Sequence, residues 1–372
     1  MSGSASHRWR ARARLLRSTV LMALMVGVAA TGMAPGTAYA DSGSSGISSV
    51  PVSFRVTLRN DSGIPCDTSN QATSLLGGVL GDQQVTVRGH LTGPSGRFDS
   101  DHLNGTLYSH GDGYDETFWR FTHDESYNYV DEMAHRGHVS VTIDRLGYGD
   151  SSKPNGNVVC YGTEATVLHQ IVGQLRAGHY QGNRTPRFDQ VGLVGHSASG
   201  LIVEQEAAGF QDVDALGVLD SGTLAVQPLA VVRTGEEQAR CVAGIAGPDN
   251  GYAPLESDAQ QFRDDHLYNV EQDIAGYLAA HRTLDACAGL RNAVQGLAGN
   301  AARDALIRVP VLVLGGAEDK LFQRFDLQAK AYIQSPEVSV RVVPDTGHAV
   351  AFSRSHHTFY DDMNTWLEDN RL

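Results

Sequence analysis

Residues 191–200 read Val-Gly-Leu-Val-Gly-His-Ser-Ala-Ser-Gly. An apolar run over 191–194 meets a turn of small residues, and 201–208 then read as a helix. That order predicts a strand, a sharp turn and a helix, with Ser197 at the tip of the turn. Such a turn accepts only small residues two places before and two places after its tip, and Gly195 and Ser199 hold those places. The amide of Ala198 then opens the helix, where it can face a developing negative charge. Ser197 is therefore the candidate nucleophile.

The chain on either side repeats the rhythm. Apolar strands are expected over 105–109, 139–143, 191–194, 215–219, 309–314 and 338–343. Helices are expected over 126–136, 163–177, 197–208, 323–333 and 356–368. Alternation of this kind builds a mostly parallel, doubly wound sheet with helices on both faces. Val52, Phe54, Val56 and Leu58 alternate with polar residues, as do Val85, Val87 and Leu91, and these two segments suit an antiparallel edge. Active sites of such sheets lie at the C-terminal ends of the strands.

A serine hydroxyl needs a base. Val342-Val343-Pro344-Asp345-Thr346-Gly347-His348 ends a strand, with Gly347 suited to a tight loop, and offers His348. The acid that orients the imidazole is expected at Asp319, which follows the apolar strand Val311-Leu312-Val313-Leu314. Glu318 adjoins it but should point elsewhere, and Asp220, after the strand over 215–219, is the alternative acid. A second donor to an oxyanion is expected from the loop after the strand over 105–109. There the amide of Asp112 is first choice and that of Gly113 second, and His110 is expected to be structural.

At this point the chain resembles the α/β-hydrolase superfamily. The motifs that carry the likeness are His110-Gly111, Asp144-Arg145-Leu146-Gly147-Tyr148-Gly149-Asp150-Ser151, Gly195-His196-Ser197-Ala198-Ser199, Asp319 and Gly347-His348, in that order. The resemblance implies an α/β-hydrolase fold with the Ser, Asp, His chain order of that superfamily. It also implies that 144–151 shapes a turn near the nucleophile without doing chemistry. Ser199 departs from the glycine usual at that place but is small. Members that open epoxides or remove halide carry aspartate at the elbow, so a serine implies acyl transfer. The expected function is hydrolysis of a carboxylic ester or lactone through an acyl-enzyme on Ser197. A peptidase or amidase of the same fold, an acyltransferase or cyclase, and a non-catalytic binding protein are the alternatives. Glu256, Asp258, Asp264 and Asp265 are the acids that could hold a substrate's amino terminus in the peptidase reading.

The rhythm breaks between about 223 and 306, where an inserted helical lid is expected, with helical segments over 257–270 and 274–284. The core accordingly reads as 51–222 plus 307–372. At the start, Arg8, Arg10, Arg12, Arg14 and Arg17 precede an apolar stretch over 20–30 and Ala38-Tyr39-Ala40, the plan of a secretory signal peptide over 1–40. A Ser/Gly-rich flexible leader is expected over 41–50. Removal of 1–40 would take away five arginines and no acid, moving the net charge from −13 to −18. An acidic surface of that size disfavours nucleic acid and anionic membranes, which leaves a small-molecule acyl substrate as the expected partner. Cys66, Cys160, Cys241 and Cys287 form an even set, read as two disulfides in an exported chain. Three pairings are open, and Cys66–Cys160 with Cys241–Cys287 is favoured because each joins nearby parts of the expected fold. Metal-ligand spacings and nucleotide-binding glycine motifs are missing from the sequence, so no cofactor and no metal is expected.

Overall fold

A computed structural model describes residues 46–66, 83–243, 251–291 and 293–372. The signal peptide expected over 1–40 lies outside these residues. In chain order the elements are β1 (Ile47–Thr57), β2 (Gln84–Pro94), β3 (His102–Ser109), α1 (Tyr129–His135), β4 (Ser140–Ile143), α2 (Tyr161–Ala177), β5 (Arg187–His196), α3 (Ala198–Phe210), β6 (Ala215–Leu219) and α4 (Pro228–Ala243). They continue with β7 (Tyr252–Ala253), α5 (Ala259–His266), α6 (Gln272–Ala280), β8 (Asp285–Ala286), α7 (Cys287–Arg291), α8 (Ala293–Arg303), β9 (Val311–Gly316), α9 (Phe325–Gln328), β10 (Val338–Val343) and α10 (His356–Asp369).

Eight strands form one sheet in the order β1-β2-β4-β3-β5-β6-β9-β10. β1 with β2 and β2 with β4 are antiparallel, and every later pair is parallel. The sheet is buried on both faces where β6, β9 and the 191–194 run of β5 are apolar at every position, not at alternate ones. Val191 and Leu193 of β5, Leu216 and Val218 of β6, and Val311 and Val313 of β9 join one core with α2 and α3. Val194, Leu219, Leu312 and Leu314 face the other way and pack with Tyr129 and Met133 of α1 and with Phe359, Met363 and Trp366 of α10. All described residues fall in one compact unit. Among them no helix is long and apolar enough to cross a membrane.

Several boundaries differ from the sequence reading. The leader expected over 41–50 overlaps β1, whose Ile47–Val50 segment pairs with Pro94–Leu91 of β2. The helix expected over 126–136 begins only at Tyr129. Before it, Asp124 accepts the amide and hydroxyl of Ser126 and holds a separate 3₁₀ turn. The helix expected over 323–333 is the short α9 followed by a 3₁₀ turn, because Gln328 is turned inward to donate to Glu204 and accept from the amide of Leu224. α4 falls where the sequence reading places no helix.

The insertion over 223–306 is not all lid. α8 packs on α3 and α2, and Asn300 donates to the Leu201 carbonyl and to Glu204 on α3. The rest covers the C-terminal ends of the strands and is tied down at several points. Tyr252 donates to the Pro154 carbonyl at 2.7 Å, Thr283 N to the Gly113 carbonyl at 3.1 Å, and Ala349 N to the His266 carbonyl at 3.0 Å. Disulfides join Cys66 to Cys160 and Cys241 to Cys287.

Candidate active site

The side chains of the expected serine constellation each sit past the C-terminal end of a parallel strand. His110 follows β3, Asp144 follows β4, Ser197 follows β5, Asp220 follows β6, Asp319 follows β9 and His348 follows β10. At the turn after β5, Ser197 adopts φ 55° and ψ −125°. A non-glycine residue in that region costs roughly 1–3 kcal/mol, so the surroundings must enforce it. They do so through the Ser197 amide, which donates to the Leu219 carbonyl of β6 at 2.9 Å, and through the smallness of Gly195. A Cβ on Gly195 would lie 2.3 Å from the Ser199 carbonyl oxygen. The serine in place of glycine at 199 has its own work. It is fully buried, donates to the His110 carbonyl at 2.6 Å and shares a hydrogen bond with Ser109 at 2.8 Å.

Ser197 Oγ lies 2.8 Å from His348 Nε2, and His348 Nδ1 lies 2.9 Å from Asp319 Oδ2. The other oxygen of Asp319 accepts the amides of Leu321 at 2.7 Å and Phe322 at 3.1 Å. His348 and Asp319 are fully buried and Ser197 nearly so. With Asp319 accepting at Nδ1, the imidazole carries its proton there and leaves Nε2 as an acceptor facing Ser197. Glu318 is exposed. Gly347 serves close approach and not a turn: a Cβ there would meet the Tyr268 amide nitrogen at 2.9 Å, while the positive φ of this loop falls on Asp345 at 51°.

Asp220 lies beside this chain without joining it. One of its oxygens is within 4.8 Å of the ligating atoms of Asp319 and His348. Its Oδ1 accepts the Gly316 amide at 2.8 Å, and its carboxyl also meets the Val350 amide and the Asp319 carboxyl. Burial, followed by the adjacent Asp319 charge, pushes the Asp220 carboxyl well above the usual carboxylate range. Its neutral form is favoured accordingly, beside an Asp319 that accepts two backbone amides and faces His348 Nδ1.

The loop after β3 divides the two expected oxyanion donors. The Gly113 amide is already spent, donating to Asp285 Oδ1 at 2.8 Å, which corrects the expectation for Gly113. Among the described residues no acceptor takes the amides of Asp112 or Ala198, and both residues line one cavity with Ser197. The loop is held by Arg145, a residue of the 144–151 turn that the sequence marked only for shape. Its guanidinium donates to Glu164 at 2.6 and 2.7 Å, to Asp112 at 2.8 Å and to the His110 carbonyl at 3.2 Å, all out of solvent. His110 is structural: Nδ1 donates to the Gly111 carbonyl and Nε2 accepts the Arg145 amide. Burial, followed by the Arg145 charge, keeps its imidazole neutral. His196 is likewise kept neutral by burial first. It stacks on Phe118 with centroids 4.0 Å apart and donates to the His348 carbonyl at 2.8 Å.

The insertion adds residues that no motif announced. His266 at the end of α5 sets its ring edge-on to His348, with centroids 4.9 Å apart. Its Nε2 meets Glu256 at 2.7 Å and its Nδ1 meets the Tyr114 hydroxyl at 2.9 Å. Against the upward pull of burial, His266 holds the Glu256 carboxyl below its ordinary range. The cavity over Ser197 has a volume of about 290 Å³. Leu201, Val226, Ala230, Leu255, Leu321 and Phe322 give it apolar walls, and Arg233, Thr234 and Gln238 of α4 also line it.

Comparisons with known proteins agree with this architecture. Residues 107–361 match the model of the alpha/beta hydrolase family. A thermophilic esterase from Thermogutta terrifontis superposes with a TM-score of 0.56 at 19% identity, covering 78% of this chain and 95% of that one. A putative aryl esterase from Burkholderia cenocepacia gives 0.54 at 18% identity, covering 77% and 95%. The thioesterase domain of the curacin biosynthetic pathway gives 0.52 at 17%, covering 75% and 95%. A comparison with curated proteins finds no match. At such identities the solved structures speak for the fold, and the family match spans more than half of the chain. With the strand order and the residues at the strand ends, this makes the chain a member of the alpha/beta hydrolase family.

Proposed function

We propose that this protein is a secreted serine hydrolase that cleaves carboxylic esters or lactones with a small or medium apolar acyl group. The observation that carries the reading is the hydrogen-bonded series Ser197–His348–Asp319 opening into an apolar cavity. In the proposed reaction Ser197 Oγ attacks the carbonyl carbon as His348 Nε2 takes its proton. The amides of Ala198 and Asp112 receive the oxyanion. Collapse of the tetrahedral adduct expels the alcohol, which leaves with the proton from His348. Water then attacks the acyl-enzyme, giving its proton to the same nitrogen, and Ser197 is restored as the acid departs. Asp319 keeps the proton of His348 on Nδ1 throughout and stabilises the imidazolium.

The peptidase reading loses its support in the insertion. Glu256 is engaged by His266, Asp265 by Arg233, and Asp258 caps α5 by accepting the amides of Gln260 and Gln261. Asp264 accepts the Gln260 side chain. None of the four lines the cavity over Ser197. Two disulfides support export.

Intact mass after a fluorophosphonate probe tests the proposal, with wild type beside Ser197→Ala. One adduct on the wild type only, followed by turnover of p-nitrophenyl esters in preference to aminoacyl anilides, is the expected result. A folded wild type that takes no adduct and turns over no ester would move the protein to the binding-protein reading.

A further inference from the structure

The loop that carries the Asp112 amide is held half by the core and half by the insertion. Its first residues belong to the core. Ser199 Oγ and the Arg145 guanidinium both donate to the His110 carbonyl, at 2.6 and 3.2 Å. Gly111 runs so close to the nucleophile that a Cβ on it would stand 2.7 Å from the Cβ of Ser197. Its last residues belong to the insertion. The Gly113 amide donates to Asp285 Oδ1 at 2.8 Å, and the Gly113 carbonyl accepts the Thr283 amide at 3.1 Å. The Tyr114 carbonyl accepts the Thr283 hydroxyl at 2.9 Å. Between the two halves lies the Asp112 amide, which no acceptor takes among the described residues.

Asp285 is the centre of the insertion's half. Its side chain is buried. Besides the Gly113 amide, Oδ1 accepts the Tyr148 hydroxyl at 3.0 Å, and Oδ2 accepts the Leu255 amide at 3.2 Å. The same Tyr148 hydroxyl lies 3.1 Å from Asp112 Oδ1, so one proton serves two carboxyls and ties the Asp112 side chain to the insertion as well. Asp285 is itself firmly placed. It pairs with Ala253 in the two-residue ladder of β7 and β8, and Cys287, two positions on, is bridged to Cys241 of α4.

We infer that Asp285 is a positioning residue for the oxyanion site: from the insertion, it holds the loop so that the Asp112 amide faces the oxygen on which charge develops. The inference rests on the serine-hydrolase reading above. Asp285 does not line the cavity over Ser197, so its loss should leave the bound ester as it is. What should suffer is the tetrahedral state, because an oxyanion donor counts only when it already stands where the charge appears. An interaction made in the transition state alone is read in kcat, with KM unmoved. A tie that merely stabilised the fold would move neither.

The test compares Asp285→Ala with wild type in steady-state hydrolysis of a p-nitrophenyl ester. Inhibition by phenylboronic acid, which adds to a serine hydroxyl as a tetrahedral anion, is measured beside it, with thermal unfolding as the control for folding. The expected result is a fall in kcat of about 10²-fold, the low end for losing a donor outright. KM should stay within about twofold, and the boronate Ki should rise by at least about tenfold. If Asp285→Ala does not fold, Tyr148→Phe decides, since it keeps the ring and removes the hydroxyl between the two carboxyls. A kcat lowered by about tenfold at unchanged KM then supports the inference, and a kcat equal to that of wild type overturns it. A folded Asp285→Ala that loses less than about tenfold in kcat, a loss confined to KM, or an unchanged boronate Ki overturns the role of Asp285 alone, so long as the wild type turns over ester. A wild type that takes no fluorophosphonate adduct and turns over no ester overturns the hydrolase reading and this inference with it.

Discussion

Changing Asp319 and Asp220 to asparagine, one at a time, separates two buried carboxyls that sit together beside His348. In Asp319→Asn the side-chain oxygen stays with the amides of Leu321 and Phe322, because those donors need an acceptor. The new NH₂ then faces His348 Nδ1, where the carboxylate oxygen now lies at 2.9 Å. Nδ1 must accept, the ring proton moves to Nε2, and Ser197 Oγ loses its base. This change of tautomer in a serine triad costs about 10⁴ in kcat, ~5.5 kcal/mol of transition-state stabilisation. Asp220→Asn is a different perturbation. Burial and the Asp319 charge already favour the neutral form of the carboxyl it replaces, and the amide oxygen keeps the bond from Gly316 N. The expected loss is under about tenfold, ~1.4 kcal/mol. The assay is kcat/KM on a p-nitrophenyl ester near neutral pH, with the rate of fluorophosphonate labelling as a second readout and thermal unfolding as a control. A loss above about 10³ in a stably folded Asp220→Asn would refute the reasoning. So would near-full activity in Asp319→Asn.

Arg145→Met should leave Glu164 and Asp112 buried without their cation and destabilise the protein by about 3–5 kcal/mol in urea titrations, with a further loss of kcat from the slackened Asp112 loop. Asp304 gives a pH dependence whose sign follows from proton binding: burial first, then Glu204, raises its carboxyl from 3.8 to about 9 in the fold. The native state therefore binds the extra proton between those values, and stability falls as pH rises through that window. Tm should drop between pH 6 and pH 9, and Asp304→Asn should flatten the drop. Cys241→Ser with Cys287→Ser should cost about 4 kcal/mol on the loop-entropy account, read as a lowered urea midpoint, and a midpoint equal to that of wild type would speak against the bridge.

What could be read from the chain was local. The elbow announces itself because one short stretch holds the strand, the small residues at 195 and 199, and the helix start. His348 and Asp319 follow from apolar strands that stop at a polar loop. Elements whose evidence is spread along the chain were lost or misplaced. α4 had a usable signal in Pro228 at its first turn, with Ala230, Thr234 and Gln238 at helical spacing on one face, but exposed Val231 and Val232 blur that face. α8 was counted with the lid because its place in the chain says nothing of Asn300 reaching Glu204 on α3. α9 is cut short by Gln328, whose partners at 204 and 224 lie more than a hundred positions back.

The distinction between the candidate donors and acids of the site was beyond local reading for a deeper reason. Asp112 and Gly113 are neighbours with equally free amides on paper. Gly113 is removed by Asp285, 172 positions later, which the insertion brings onto the loop. Asp220 and Asp319 both follow apolar strands of the same sheet. Two backbone amides and an imidazole converge on Asp319. Asp220 meets the amides of Gly316 and Val350 but no imidazole hydrogen bond, and burial with the field of its neighbour raises its carboxyl. Chain order nominates a carboxyl for catalysis, but its electrostatics are set by burial and by the charges and donors the fold turns toward it. The insertion takes part in that setting. It supplies Asp285 to the loop at Gly113 and His266 to the face of His348, so a change in how it docks should be felt at the serine even where no insertion residue touches Ser197.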